Sequence, residues 1–179
     1  MTDTNLDPVR ELLVDSFSRV ADLVEGLTHG LTPELATWRA DEEANSIAWL
    51  LWHLTRIQDD HVAGVAGVDQ VWPGWRDRFD LPFGPWELGY GQSPDEAAQV
   101  AAPATLLAGY HAEVHALTMR YLDRIGSGAG AAELARVVDD AWDPPVTASV
   151  RLVSVLGDTL QHLGQAAYVK GLAQRAGVA

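Results

Sequence analysis

The stretch "GDTLQHLGQAAYVKGL", residues 157–172, belongs to the last long periodic segment of the chain, and its reading decides the fold. At about 100° per residue, a helix brings positions i, i+3, i+4 and i+7 onto one face. Here Val155, Asp158, His162, Gln165 and Val169 share one stripe, and Leu152, Val153, Leu156, Leu160, Leu163 and Ala167 share another. Both stripes are mostly apolar, so the pattern predicts a helix buried nearly all round, with Asp158 and His162 facing inward. A buried carboxylate must be paired or must face something positive. The plain reading is an internal Asp–His hydrogen bond. The sharper one is two metal ligands that need a third from another helix.

Three more helical segments precede this one. The first, about 7–28, carries Val9, Leu12, Leu13, Phe17, Val20, Leu23 and Val24 on one stripe, with Pro8 in its first turn and Gly30 and Pro33 after its end. The second opens at "NSIAWLLWHL", where Asn45 or Ser46 caps it, and runs to about Gly67. The third starts near Pro103 and runs through "ATLLAGYHAEVHALTMRYLDRI" to Gly126, before the loose stretch "GSGAGA". The fourth starts after "DPPVT" and ends at about Arg175. No segment shows β alternation bounded by turns. The expected fold class is all-α, a four-helix bundle in which each helix buries a stripe against its neighbours, and 179 residues make one domain spanning 1–179.

The stretch from 67 to 95 is too long for an ordinary connection, and it carries Trp72, Trp75, Phe79, Phe83, Trp86 and Tyr90. Such rings cover one end of the bundle, and Trp72, Trp75 and Trp86 are candidates to wall a pocket as well.

Twenty-five acidic against twelve basic residues give a formal charge of −13, which repels phosphate backbones and anionic membranes and excludes nucleic acid as a partner. The chain has no cysteine, so any thiol chemistry needs an external thiol. The N-terminus lacks a signal-peptide pattern and no run is long enough to span a bilayer, so a cytoplasmic location is expected.

Candidates for the third ligand are His53 and His61 on the second helix. His61 sits near the middle of the stripe Ile47, Leu50, Leu54, Val65; His53 lies on its flank with Ile57, Asp60 and Gly64. Periodicity does not choose between them. His111 and His115, in "HAEVH", form a rival i,i+4 pair, but they fall at the edge of or off the stripe Leu107, Tyr110, Val114, Leu117, Tyr121 and read as rim residues. His29 at a helix end has a dipole role. Ser46, Ser93, Ser127 and Ser149 lack a nucleophile context. Arg56, Arg76 and Arg78 are candidates to receive a carboxylate, and solvated side chains otherwise.

"NSIAWLLWHLTRIQDDHV" followed by "DTLQHLGQAAYVKGL" resembles the DinB-like superfamily, and within it the actinobacterial proteins related to mycothiol-dependent maleylpyruvate isomerases and thiol transferases. The resemblance covers essentially the whole chain. It implies a four-helix bundle in up-down-down-up order and a divalent metal held by His53, from "WHL", His162, from "HLGQ", and the residue one turn before it. That residue is His or Glu in relatives and Asp158 here, an anionic ligand with a shorter arm. Two nitrogens and one oxygen suit Zn²⁺, with Ni²⁺, Mn²⁺ or Fe²⁺ as alternatives. The implied function is activation of a low-molecular-weight thiol of the mycothiol type, for transfer to a small electrophile or for isomerisation; the competing class is a non-enzymatic metal-binding bundle with a structural or stress role. Gln165 is the expected outer partner of the site. No catalytic side chain beyond the ligands is identified. A homodimer is expected.

Overall fold

The structure is a computed structural model that describes residues 7–125 and 130–178. The first four residues of the stretch read as loose, 126–129, lie outside them, Ser127 included. The elements are α1 (Asp7–Thr28), α2 (Pro33–Thr37), α3 (Ile47–Ala66), α4 (Arg76–Phe79), α5 (Pro94–Ala97), α6 (Ala104–Ile125), α7 (Gly130–Ala135), β1 (Val137–Asp139), β2 (Val146–Thr147) and α8 (Ala148–Arg175), with a single 3₁₀ turn at Trp72–Gly74.

The long helices α1, α3, α6 and α8 begin and end where local chemistry demands. Ser46 caps α3 by accepting the Trp49 N–H at 3.2 Å, and Gly67, with φ of 66°, closes it in the left-handed conformation that glycine adopts without strain. Thr147 caps α8. Four tertiary contacts give the directions. Arg10, early in α1, pairs with Asp123, late in α6, so these two are antiparallel. Arg124, late in α6, donates to the Ala66 carbonyl that ends α3, and Lys170, late in α8, donates to the Leu27 carbonyl late in α1; both pairs are parallel. Arg136 donates to Val65 near the end of α3 and accepts the Ala148 N–H that starts α8, so α3 and α8 are antiparallel. The order is up-down-down-up, an all-α DinB-like bundle as expected.

Three expectations need correction. A two-stranded antiparallel pairing, Val137 opposite Thr147 and Asp139 opposite Val146, precedes α8; strands of three and two residues are too short to show alternation. The last helix is not buried all round. Leu152, Val155, Thr159, Leu163, Ala166, Val169 and Ala173 face the core, while Val153, Leu160 and Ala167 of the second stripe are exposed. His111, expected at the rim, is buried against α1, because α6 packs on α1 as well as on α3 and so buries more than one stripe.

Burial pushes the His111 imidazole down to about 3, and its Nε2 has no hydrogen-bond partner. The unfolded imidazole titrates near 6.5. Below that value the unfolded chain takes up a proton that the folded chain refuses, so stability falls as pH falls from about 6.5 towards 3. At pH 4.5 the loss from this group is about 2–3 kcal/mol. Urea unfolding at pH 7 and 4.5 checks it: His111→Gln, which cannot titrate, should lose less stability between the two than the wild type by that margin. Equal losses would reject the assignment.

Candidate metal centre

The first half of α3 is buried on every side, from Ile47 to Asp59, because α6, α8 and the 67–95 loop all lie against it. Polar groups buried there must find partners, and they find them along the loop. Trp49 donates its indole N–H to Gln92 Oε1 at 2.7 Å. His53 donates from Nδ1 to the Leu88 carbonyl. Arg56 reaches the Glu87 carbonyl at 3.1 Å and Gln70 Oε1 at 2.9 Å. Asp59 accepts the Val71 and Trp72 N–H groups at 2.9 and 2.8 Å. Rungs at 49, 53, 56 and 59 thus hold Gln92, Leu88, Glu87 and the Val71–Trp72 pair in reverse order along one helix face, with Gln70 as a second partner of Arg56.

These partners also set the tautomers. A carbonyl only accepts, so His53 Nδ1 carries the hydrogen and Nε2 is left with its lone pair. His162 Nδ1 is held by Gln165 Oε1 at 2.7 Å, which leaves Nε2 free, 3.6 Å from Asp158 Oδ1. The two imidazole rings meet edge to face with centroids 4.8 Å apart. One ligand atom from each of His53, Asp158 and His162 lies within 4.8 Å of the others, the one such triad among the described residues. Burial pushes the His53 imidazole below its ordinary value, while the Asp158 carboxylate beside it holds that of His162 above it. Asp158 Oδ2 is buried with no partner.

Aromatic rings surround the triad. Trp49 stacks on His53 at 4.6 Å, and Tyr90 meets His53 edge-on at 5.3 Å. Gly89, with φ of 101°, brings the loop close: a Cβ there would lie 2.9 Å from His53 Nδ1. The Glu87 carboxylate accepts the Leu88 and Gly89 N–H groups at 3.1 and 2.7 Å, fixing the turn.

The remaining candidates fall elsewhere. His61 is half-buried and contacts Asp60 at 3.2 Å, in a groove with Arg151 and Asp139 that none of the triad residues lines. Arg56 is fully buried, with Nε on the Glu87 carbonyl, Nη1 on Gln70 and Tyr110, and Nη2 without a hydrogen-bond partner. Trp72 and Trp75 are core residues; Trp86 and Tyr90 are exposed. Gln165 is exposed beside His162. Sequence reasoning misses the Leu88 carbonyl and the close approach at Gly89; the paired glycines of "LGYG" are the one local signal for a tight turn there.

A family model described as mycothiol-S-transferase matches residues 12–174. A crystal structure titled as the conserved protein of a locus from Enterococcus faecalis is 33% identical, covers 90% of this chain and 95% of its own, and superposes with a TM-score of 0.81. No curated protein matches this chain.

Proposed function

Because the chain belongs to the mycothiol-S-transferase family, we propose that it transfers a low-molecular-weight thiol of the mycothiol type to a small electrophile, at a divalent ion held by His53, Asp158 and His162. The observation that carries this reading is the unpartnered, buried Asp158 Oδ2 beside two imidazoles whose Nδ1 atoms are already taken. An uncompensated buried carboxylate oxygen is costly, and a cation offsets that cost. A His₂-carboxylate donor set fits Zn²⁺ with room for one exogenous ligand, and among the described residues no fourth such side chain joins the triad. The shorter arm of Asp158 still reaches, since its oxygen falls within the same 4.8 Å as both nitrogens.

When bound, such an ion supplies a Lewis acid that favours the thiolate form of an external thiol at neutral pH. The chain's own residues do the rest. Leu88 and Gln165 orient the two imidazoles. Asp158 contributes the negative charge. Trp49 and Tyr90 exclude water from the His53 side of the site, and the exposed Tyr90 ring offers an apolar face to substrate there.

The test is thiol-dependent consumption of a panel of small electrophiles by Zn²⁺-loaded protein. Chelation and Asp158→Ala should each abolish it, and adding thiol to Co²⁺-substituted protein should change the visible spectrum. Consumption that survives both treatments would overturn the proposal.

A further inference from the structure

The metal centre continues along the seam between α3 and α8. Seven residues are about two helical turns, so Asp60 lies on the same face of α3 as His53, about 10 Å further on. Arg151 lies on the same face of α8 as Asp158, about 10 Å back. The two helices are antiparallel, so both displacements run the same way. There Asp60, His61 and Arg151 line one open groove of about 320 Å³, with Asp139 of β1 beside them and Gly64 and Val65 as apolar wall. Tyr90 joins the two levels. Its ring meets His53, and its hydroxyl, pushed up by burial, is pushed further by the charges of Asp158 and Asp60 and pulled back by that of Arg151.

What this groove offers a ligand follows from which of its groups are already taken. Asp60 accepts the Gln70 amide at 2.7 Å on Oδ1, and His61 Nδ1 lies 3.2 Å from its Oδ2. Asp139 accepts the Ala141 N–H at 3.1 Å on Oδ1 and Arg151 Nη2 at 2.8 Å on Oδ2. Both carboxylates are thus committed. Arg151 is only partly so: among the described residues no partner reaches its Nε or Nη1, although its side chain is only 20% exposed. A guanidinium mostly withdrawn from water with donors to spare needs an acceptor from outside, and its planar fork matches a carboxylate.

Arg151 is also aimed in advance. The first turn of α8 carries it, and the β1–β2 pairing sets Asp139 behind it, so its direction is fixed before a ligand arrives. That gives the short hairpin a task. Pairing with Asp139 offsets much of the positive charge but leaves the remaining N–H donors, so recognition here rests on hydrogen-bond geometry more than on net charge. Between Ala148 and Val169, Arg151 is the only lysine or arginine of α8, the helix that also supplies Asp158 and His162.

We propose that Arg151 anchors a carboxylate on a reactant whose reacting atom lies at the metal centre, further along the same seam. The substrate class is then a compound with a carboxylate several bonds from its thiol or from its electrophilic carbon. This rests on the proposed function for the reaction, but the anchor is a property of the chain and is measurable without turnover.

The test titrates butanoate and its neutral methyl ester into the full chain, chelator-treated and Zn²⁺-loaded, and follows the backbone amide signals by NMR. Butanoate, and not the ester, should shift the signals of Asp139 and Arg151 in both states. Arg151→Gln should raise the butanoate dissociation constant at least about tenfold, and Asp158→Ala, which removes a metal ligand, should not. Circular dichroism confirms that both variants stay helical. The Zn²⁺-loaded protein should then prefer an α,β-unsaturated acid, whose double bond takes up the thiol's sulfur and hydrogen, to its methyl ester. Where the thiol carries the group instead, the preference follows a carboxylate-bearing thiol over its ester; in either case Arg151→Gln should erase it. Ester binding as tight as that of the acid, an unchanged constant for Arg151→Gln, or butanoate shifts that require Zn²⁺ and centre on His53 and His162 would each overturn the proposal. Butanoate binding at Arg151 without any thiol transfer would strike the proposed function and leave the anchor in place.

Discussion

His53→Ala and His162→Ala protein should each purify without stoichiometric divalent metal and lose thiol transfer. Removing a direct nitrogen ligand should cost more than the roughly 10–100-fold in affinity that an outer hydrogen-bond partner is worth. His61→Ala, His111→Ala and His115→Ala should keep full metal content, because none of those side chains joins the triad. Elemental analysis of untagged protein, with chelator competition for the affinities, decides the matter. Metal retained at wild-type affinity in either of the first two variants would reject the ligand assignment, and metal lost on His61→Ala would move the third ligand along α3.

The largest loss of stability is expected at Asp59→Ala. Its carboxylate is fully buried and accepts the Val71 and Trp72 N–H groups and, at 2.7 Å, the Tyr110 hydroxyl, with the Arg56 guanidinium 3.6 Å away. Burial pushes the Asp59 carboxyl up, and the hydrogen bonds from Val71, Tyr110 and Trp72 and the charge of Arg56 pull against that shift. Truncation leaves a guanidinium buried without its counter-charge and two backbone donors without acceptors, at a cost of about 3–5 kcal/mol. Denaturant unfolding should also show Asp59→Ala more damaging than an Arg56→Met, Asp59→Leu double replacement, because the double variant removes both charges together. If the two are equally damaging, lost volume rather than lost charge sets the cost.

The ends of the long helices are legible in the sequence because caps and breakers are local: Ser46, Gly67, Pro103 and the "DPPVT" run stand within a residue or two of the observed boundaries. The short elements are not, since four to six residues carry too little periodicity. Periodicity leaves His53 and His61 undecided because the first half of α3 is apolar around nearly its whole circumference, so no single stripe marks the inward side. The likeness to relatives, not periodicity, singles out His53. The burial of Arg56 is hidden for a different reason. An arginine on a helix is ordinarily solvated, and only the Arg–Asp spacing of three residues in "RIQD" hints that a buried carboxylate holds it. The burial of His111 depends on which helices α6 packs against, and one helix's pattern does not carry that information.

The rungs between α3 and the 67–95 loop limit how such a protein can diverge. Connecting segments usually absorb insertions and deletions freely, which is how new specificities arise on an old scaffold. Here Val71 and Trp72, Glu87, Leu88 and Gln92 are pinned to four positions of one helix, so a single residue added or deleted between Glu87 and Gln92 would shift the carbonyl that orients His53. Indels next to the rungs are therefore costly, and variation is cheapest at side chains that hang between them, Trp86 and Tyr90 among them. On the proposed function, a descendant of this chain would most readily change what it accepts by swapping exposed rings of this loop.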